Sequence, residues 1–323
     1  MLSRTGSRIP PLTEIGFGAS QIGNLYREVE DDTAQRAVDA AWEAGIRYFD
    51  TAPHYGLGLS ERRLGTALRS RPRDAFVLST KVGRILVPDP GGAGRADDEG
   101  FAVPATARRV WDFSRDGILR SIDDSLTRLG LDRIDIAYLH DPDDHWEEAS
   151  TSGVDALADL RDQGVVRAIG AGMNRAAMLA DFVERCDIDV VMVAGRHTLL
   201  DGEARERLLP LAAERGVAVV AAAVYNSGLL STARPPAVGA RFDYDAAPTA
   251  LVERAHAIAD VCERHGVELP AAAVHYPLRD PQVASVVVGM RTAAQVTSTL
   301  ARWRAEVPAA LWDELGDLGL LPG

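Results

Sequence analysis

Arg47-Tyr-Phe-Asp-Thr-Ala-Pro-His-Tyr-Gly-Leu-Gly-Leu-Ser-Glu-Arg-Arg-Leu-Gly65 is the stretch on which the fold turns. It follows a helical pattern closing at Ala44-Gly45, and residues 46–49 are short, apolar and aromatic enough for a buried strand. Pro53 and Gly56 exclude both helix and strand, so the chain turns there, and Ser60-Glu61 opens a second helix. Asp50 therefore stands at the C-terminal end of a strand, and Tyr55 lies in the strand-to-helix loop. In barrels of alternating strands and helices, that end collects the catalytic groups.

Working outward, two further strands end on chemistry-bearing residues. Phe76-Val-Leu-Ser-Thr80 runs into Lys81, and Ile134-Asp-Ile-Ala-Tyr-Leu139 runs into His140. These strand ends are similar to those of the aldo-keto reductases, which reduce a carbonyl by hydride; that needs a proton at its oxygen, and the reverse needs that proton removed. Free tyrosine, with a pKa of about 10, does neither well near neutrality. A nearby ammonium favours the phenolate and is expected to lower that value, an aspartate keeps the ammonium charged, and a histidine fixes the substrate oxygen. Taken singly, Asp50 and Lys81 read as a plain buried ion pair and Tyr55 as packing. Four such residues at matching strand ends read as a site.

These motifs resemble the aldo-keto reductase family. The resemblance rests on Asp50-Thr-Ala-Pro-x-Tyr-Gly with Ser60-Glu61 and Leu64-Gly65, on Ser79-Thr-Lys81, and on Leu139-His140, and runs from about Leu12 to Leu300. It implies an α/β fold, a single (β/α)8 TIM barrel with long loops at the C-terminal face, as one domain over residues 1–323. It also implies a catalytic tetrad of Asp50, Tyr55, Lys81 and His140. Gly23-Asn-Leu-Tyr26, Lys81-Val-Gly-Arg84 and Ala168-Ile-Gly-Ala-Gly-Met-Asn174 are similar to the family's sugar and pyridoxal dehydrogenase branch. The reaction so implied is NAD(P)-dependent oxidation of an aldose at C1 to a lactone, with Tyr55 as base. A pyridoxal ring, or a generic aldehyde or ketone, is the alternative substrate. Two other readings compete: a nucleotide-sensing binding subunit, and a phosphosugar isomerase, which would need a carboxylate base beside a neutral electrophile.

Composition bounds the answer. A chain of 323 residues exceeds the usual single-core size, to which the eight-fold barrel is the standard exception. Hydrophobic residues at 46% and charged residues at 25% are ordinary for a soluble globular protein. A net charge of -12 argues against nucleic acid and anionic membranes as partners, and the resemblance implies a small-molecule substrate. Cys186 and Cys262 imply no disulfide framework, and no secretory signal or membrane-length apolar run is visible, so a cytoplasmic location is expected. The remaining histidines His54, His145, His256, His265 and His275 are scattered, and no metal is expected. The oligomeric state is left open.

Along the chain, residues 1–11 leave barely enough room for the small hairpin that often closes the bottom of such barrels. Ile15-Gly-Phe-Gly-Ala-Ser-Gln-Ile-Gly23 is the first strand and its loop; its third glycine comes too late for a dinucleotide fingerprint. Gly18 there serves either close cofactor approach, as the resemblance implies, or a tight turn. After Val82-Gly-Arg84, the segment to about Asp112, with Pro88, Pro90, Gly91, Gly92, Gly94 and Gly100, is expected to be irregular and to form a substrate loop. Trp111 and Phe113 close it, as apolar walls for substrate or as anchors. Arg84 contacts a polar substrate or remains a surface arginine. Asp141-Pro-Asp-Asp144 turns with its acids toward the site or toward solvent.

Residues 165–170 are read as the fifth strand, followed by Ala171-Gly-Met-Asn174. By resemblance, Asn174 holds the nicotinamide carboxamide, while Met173 stands at the family's serine. After the sixth strand His197 takes the place of the family's aromatic residue. Tyr225-Asn-Ser-Gly-Leu-Leu230 resembles the loop after the seventh strand, with Tyr225 stacking on the nicotinamide and Ser227 and Leu229 at the pyrophosphate. Residues 235–244 form a second long loop over substrate or cofactor. The eighth strand turns through Gly289 into the last helix at the barrel's usual phosphate site, where Arg291 pairs with phosphate, stacks on adenine, or is a solvated cation. Gly289 and Gln295 stand where NADP-specific members carry a Lys and an Arg. NAD is therefore the preferred cofactor, with NADP second.

Overall fold

Asp50, Lys81 and His140 owe their common location to a period of two. A strand sends alternate side chains to opposite faces, so residues two apart share one face. Tyr48, Val77, Ile136 and Tyr138 pack with one another inside a ring of strands, whereas Phe49, Leu78, Ala137 and Leu139 pack outward against helices. Asp50, Ser79, Lys81 and His140 continue the inner series on their strands, and three of them occupy its last inward position.

The computed structural model describes residues 9–236, 239–243 and 245–322, with the backbone of Ser3 and Arg4. The ring comprises β1 (Ile15–Gly18), β2 (Tyr48–Asp50), β3 (Val77–Val82), β4 (Ile136–His140), β5 (Ala168–Met173), β6 (Val190–Ala194), β7 (Ala218–Ala222) and β8 (Val283–Gly289). Each strand pairs in parallel with the next, and β8 pairs with β1, so the sheet closes as a (β/α)8 barrel. Its helices are α1 (Asp31–Glu43), α2 (Leu59–Leu68), α3 (Arg115–Leu129), α4 (Val154–Asp162), α5 (Ala176–Arg185), α6 (Leu208–Arg215), α7 (Thr249–Arg264), α8 (Leu269–Leu278), α9 (Ala293–Arg304) and α10 (Ala309–Asp317). Local signals set several ends: Ser114 caps α3 by accepting the Gly117 amide at 3.2 Å, and left-handed Gly130 stops it.

Ile9 and Leu12 fill the N-terminal end of the barrel, where Ser3–Arg4 pairs with Leu12–Thr13. The short N-terminal segment thus forms a hairpin of two residues per strand. A second apolar cluster joins α7, α8 and α10 to Leu199, Leu200, Leu229 and Leu230, and so backs the loops that leave β6 and β7. None of the described helices is long and apolar enough to cross a membrane.

Two expectations are corrected. The segment from Arg84 to about Asp112 is not irregular throughout: Arg84–Pro88 and Ala107–Trp111 form an antiparallel ribbon. Pro88 ends the first strand, the glycines and Pro90 lie in the connection, and the strand runs are β-prone. The fifth strand is Ala168–Met173, three residues later than read. A Cβ on Gly170 would lie 1.6 Å from the Val190 carbonyl oxygen, so the small-residue run is what lets β5 approach β6. Ala171, Gly172 and Met173 consequently belong to the strand. Within the second long loop, Ala237, Val238 and Tyr244 lie outside the described residues, and Arg241–Phe242 pairs with Asp245–Ala246.

Candidate active site

At the C-terminal mouth Lys81 Nζ donates to Asp50 Oδ2 at 2.7 Å and to the Thr51 carbonyl at 3.0 Å. Both side chains are buried, at 3% and 4% exposure, so the pair is shielded from solvent. The other carboxylate oxygen, Oδ1, accepts Ser79 Oγ at 2.7 Å. Lys81 Nζ stands 4.8 Å from the centre of the Tyr55 ring. His140 meets that ring edge-on, with centroids 6.0 Å apart. The four residues expected to act together are therefore neighbours.

Two glycines place Tyr55. A Cβ on Gly56 would come within 2.2 Å of the Gly23 carbonyl oxygen, and Gly56 has φ +61. A Cβ on Gly23 would in turn lie 3.0 Å from the Tyr55 backbone. The loop after β2 is thus pressed onto the loop after β1: Gly56 leaves no space for a side chain, and one at Gly23 would be tight. Ser60 fastens the same region, donating to the Ala19 carbonyl at 2.8 Å and lying 2.8 Å from Thr51 Oγ1. Glu61, fully buried, receives Arg128 Nε at 2.5 Å and Thr80 Oγ1 at 2.9 Å.

Burial opposes the charge on Lys81, but Asp50 and then Tyr55 outweigh it and raise its pKa above the ordinary lysine value. Tyr55 departs from expectation. Burial raises its pKa, the Lys81 ammonium pulls it down, and burial wins, so the phenol ionises above the ordinary value of 10.0. Its resting form near neutrality is the neutral acid. Burial, helped by Arg84 and Lys81, holds His140 well below 6.5, so it is a neutral imidazole.

One wall of the site comes from the segment after β3. Arg84 pairs with Asp141 Oδ2 at 2.5 Å and lies 4.2 Å over the Trp111 ring. Trp111 is 40% exposed and stacks on Phe113, which is fully buried. A Cβ on Gly83 would lie 2.1 Å from the Phe113 ring, so Phe113 anchors the loop and offers no open wall to a substrate. Asp143 pairs instead with Arg175 on a neighbouring loop.

His54, read as scattered, sits in the site: its ring is 5.5 Å from His140, 5.9 Å from Tyr55 and 5.1 Å from Phe101. Burial first, then Arg84, Arg109 and Lys81, push its pKa down to about 2. Arg109 grips Asp97 through two bonds of 2.6 and 3.1 Å and donates to the His54 carbonyl at 3.1 Å. With Tyr26 N bonded to the Gly100 carbonyl at 2.8 Å, this holds Phe101 over Tyr55. Position beside Tyr55 was the one signal that could have singled out His54. Nothing local marks Asp97, Phe101 or Arg109. His145, also read as scattered, packs 5.6 Å from Trp111 and 5.7 Å from Phe113.

The opposite side of the mouth is built from the ends of β1, β5, β7 and β8. Ala223, Asn226 and Ser227 all have positive φ, a concentration of backbone strain in non-glycine residues. Tyr225 lies among them, its ring 5.9 Å from the Arg302 guanidinium of α9. Leu229 is buried in the second apolar cluster. The Asn174 carbonyl accepts Arg196 Nε at 2.8 Å. A Cβ on Gly18 would crowd the Val288 carbonyl at 3.2 Å, so strand packing gives that glycine a reason of its own. Gly289 is exposed at the end of β8. Thr292 caps α9 by accepting the Gln295 amide at 3.2 Å, while Gln295 Oε1 accepts the Arg291 amide at 2.9 Å. Arg291 hydrogen-bonds Gln21 Oε1. His197 is buried, its ring 5.5 Å from the Tyr276 ring of α8. A capped helix N-terminus next to an exposed glycine suits the phosphates of an anionic dinucleotide.

Residues 14–318 match the model of the aldo/keto reductase family. The chain belongs to that family. This aldo/keto reductase is 48% identical to a D-threo-aldose 1-dehydrogenase of Pseudomonas sp, with 98% of this chain and 96% of the relative covered. It is 37% identical to a pyridoxal 4-dehydrogenase of Microbacterium luteolum, over 99% and 97% of the two chains. The holo form of aldo-keto reductase AKR11C1 from Bacillus halodurans superposes with a TM-score of 0.74 at 27% identity, covering 99% of this chain and 95% of that one. Membership makes the chain a nicotinamide-dependent oxidoreductase with a small-molecule substrate. Among the described residues there is no group of three or more His, Cys, Asp and Glu able to hold a metal ion.

Proposed function

We propose that this aldo/keto reductase oxidises an aldose at C1 to the lactone, with NAD preferred over NADP. The observation that carries the reading is the grouping of Tyr55, Lys81, Asp50 and His140 at one mouth, beside the Arg84–Asp141 pair and the open Trp111 ring. The 48% identity to a D-threo-aldose 1-dehydrogenase supports the substrate class. A bound nicotinamide dinucleotide supplies or accepts the hydride.

The chain's own residues handle the proton and the orientation. Tyr55 takes the proton from the anomeric hydroxyl on oxidation and returns it on reduction, Lys81 stabilises the phenolate, and Asp50 holds Lys81 charged. Neutral His140 hydrogen-bonds the reacting oxygen, and Trp111 and Arg84 meet the sugar's apolar face and hydroxyls. For the cofactor, Tyr225 stacks on the nicotinamide, Asn174 holds its carboxamide, Gly18 gives it room, and Ser227, Leu229, Gly289, Arg291 and Gln295 meet the diphosphate and adenosine. Preference for NAD follows from Arg291 being tied to Gln21 and Gln295 serving as a cap. Cys186 and Cys262 are free thiols, which suits a reducing cytoplasm.

A panel of aldoses, pyridoxal and simple aldehydes, scored by cofactor absorbance with NAD and with NADP, tests the reading. Turnover confined to pyridoxal would transfer it to the second substrate, which the 37% relative favours. Cofactor binding without turnover of any substrate would make the chain a nucleotide-sensing subunit.

A further inference from the structure

The interior of such a barrel is ordinarily filled with Val, Ile and Leu. Here two tyrosines, both fully buried, face each other inside it, with hydroxyls 3.2 Å apart. A Cβ on Gly16 would lie 2.8 Å from the Tyr48 ring, so β1 gives up a side chain to admit it. Tyr48 Oη is 3.1 Å from Ser79 Oγ, and Ser79 Oγ is 2.7 Å from Asp50 Oδ1.

The directions of these bonds follow from proton count. A carboxylate only accepts, so the single Ser79 proton goes to Asp50. Ser79 then accepts from Tyr48, and Tyr48 from Tyr138. Burial drives the ionisation of both phenols far up, so both keep their protons. Three hydroxyl dipoles are thus aligned, positive ends toward Asp50, and each polarises the next. Asp50 passes their effect on through Lys81 to Tyr55.

We propose that Tyr138, Tyr48 and Ser79 form a hydrogen-bonded chain of positioning residues that sets the pH at which Tyr55 exchanges its proton. The chain partly neutralises Asp50 from behind, which leaves more of the Lys81 ammonium's field for the phenolate. Removing a link makes Asp50 more negative toward Lys81 and Tyr55, and raises the pKa of Tyr55. The inference rests on the reading of Tyr55 as the proton-transfer group.

The test compares Ser79→Ala, Tyr48→Phe and Tyr138→Phe with the wild type by two readouts. One is the pH dependence of NAD-linked oxidation of an aldose. The other is the ultraviolet phenolate titration of Tyr55 in the cofactor-free protein, taken as the difference from Tyr55→Phe. Ser79→Ala should move the alkaline limb upward by about half to one pH unit, roughly a three- to tenfold loss of rate below the limb. Tyr48→Phe should move it less and Tyr138→Phe least, because each is one link further away. The Phe variants keep ring shape, so they carry the test even where Ser79→Ala does not fold. Unshifted limbs in all three, or shifts without that order, overturn the chain. A wild type that turns over no aldose while Tyr55 still titrates with the graded shifts would overturn only the substrate reading.

Discussion

At the scale of residues, Tyr55 is governed by a contest between burial and Lys81, and burial prevails. The sign of the pH dependence follows. Reduction uses the neutral phenol, so its rate should stay flat through neutrality and fall only once Tyr55 ionises. Oxidation uses the phenolate, so its rate should climb about tenfold per pH unit through the alkaline range. Lys81→Met removes the one influence that lowers the pKa, so its alkaline limb should lie higher than that of wild type, with a large loss of rate at neutral pH. An identical pH profile in the mutant would show that Lys81 does not tune Tyr55. Residue identities at strand ends were legible in the sequence because each ends a β-prone run. The balance of burial against charge was not, because it depends on neighbours from β2, β3 and β4 that only the closed barrel brings together.

At the scale of elements, the Ser60-Glu61 pair does more than begin α2. Glu61 is buried with Arg128 of α3 and Thr80 of β3 as partners, so one carboxylate joins three elements. Glu61→Ala leaves the Arg128 charge without its partner and should cost about 3–5 kcal/mol, read by urea denaturation. A loss under about 1 kcal/mol would mean that the pair is screened like a surface one. Gly56→Ala is expected to lower kcat as well as stability, since its Cβ would collide with Gly23 and displace Tyr55; an unchanged kcat would disconnect that contact from the site. The strands and helices themselves were legible from hydrophobic period and caps. The ribbon Arg84–Pro88 with Ala107–Trp111 was hidden because its glycine- and proline-rich connection dominates the composition of the segment. The fifth strand was misplaced because Ala-Gly runs carry little β-propensity and are selected here by the narrow approach of β6.

At the scale of the whole molecule, the proposed function divides the mouth into a substrate side on β2, β3 and β4 and a cofactor side on β1, β5, β7 and β8. The first was read from motif. On the second, the ties of Arg291 to Gln21 and of Gln295 to the α9 cap connect distant parts of the chain or depend on a local cap, and period and composition did not signal them. In the proposed function both ties bear on cofactor choice. Gly289→Lys with Gln295→Arg would displace flexible Gln21, whose Cγ lies 2.9 Å from a Cβ at Gly289, and add two cations. The relative kcat/KM should shift at least about tenfold toward NADP, from charge-assisted contacts worth roughly 1.5–3 kcal/mol each; an unchanged ratio would place the adenosine phosphate elsewhere. The central claim is that the Tyr55 hydroxyl carries the proton of the reaction. Its most direct test is turnover of an aldose by Tyr55→Phe against wild type under chemistry-limited conditions, with NAD binding followed in parallel. The account predicts a loss of about 10²–10⁴-fold with NAD affinity retained; a mutant keeping half of the wild-type rate would contradict it.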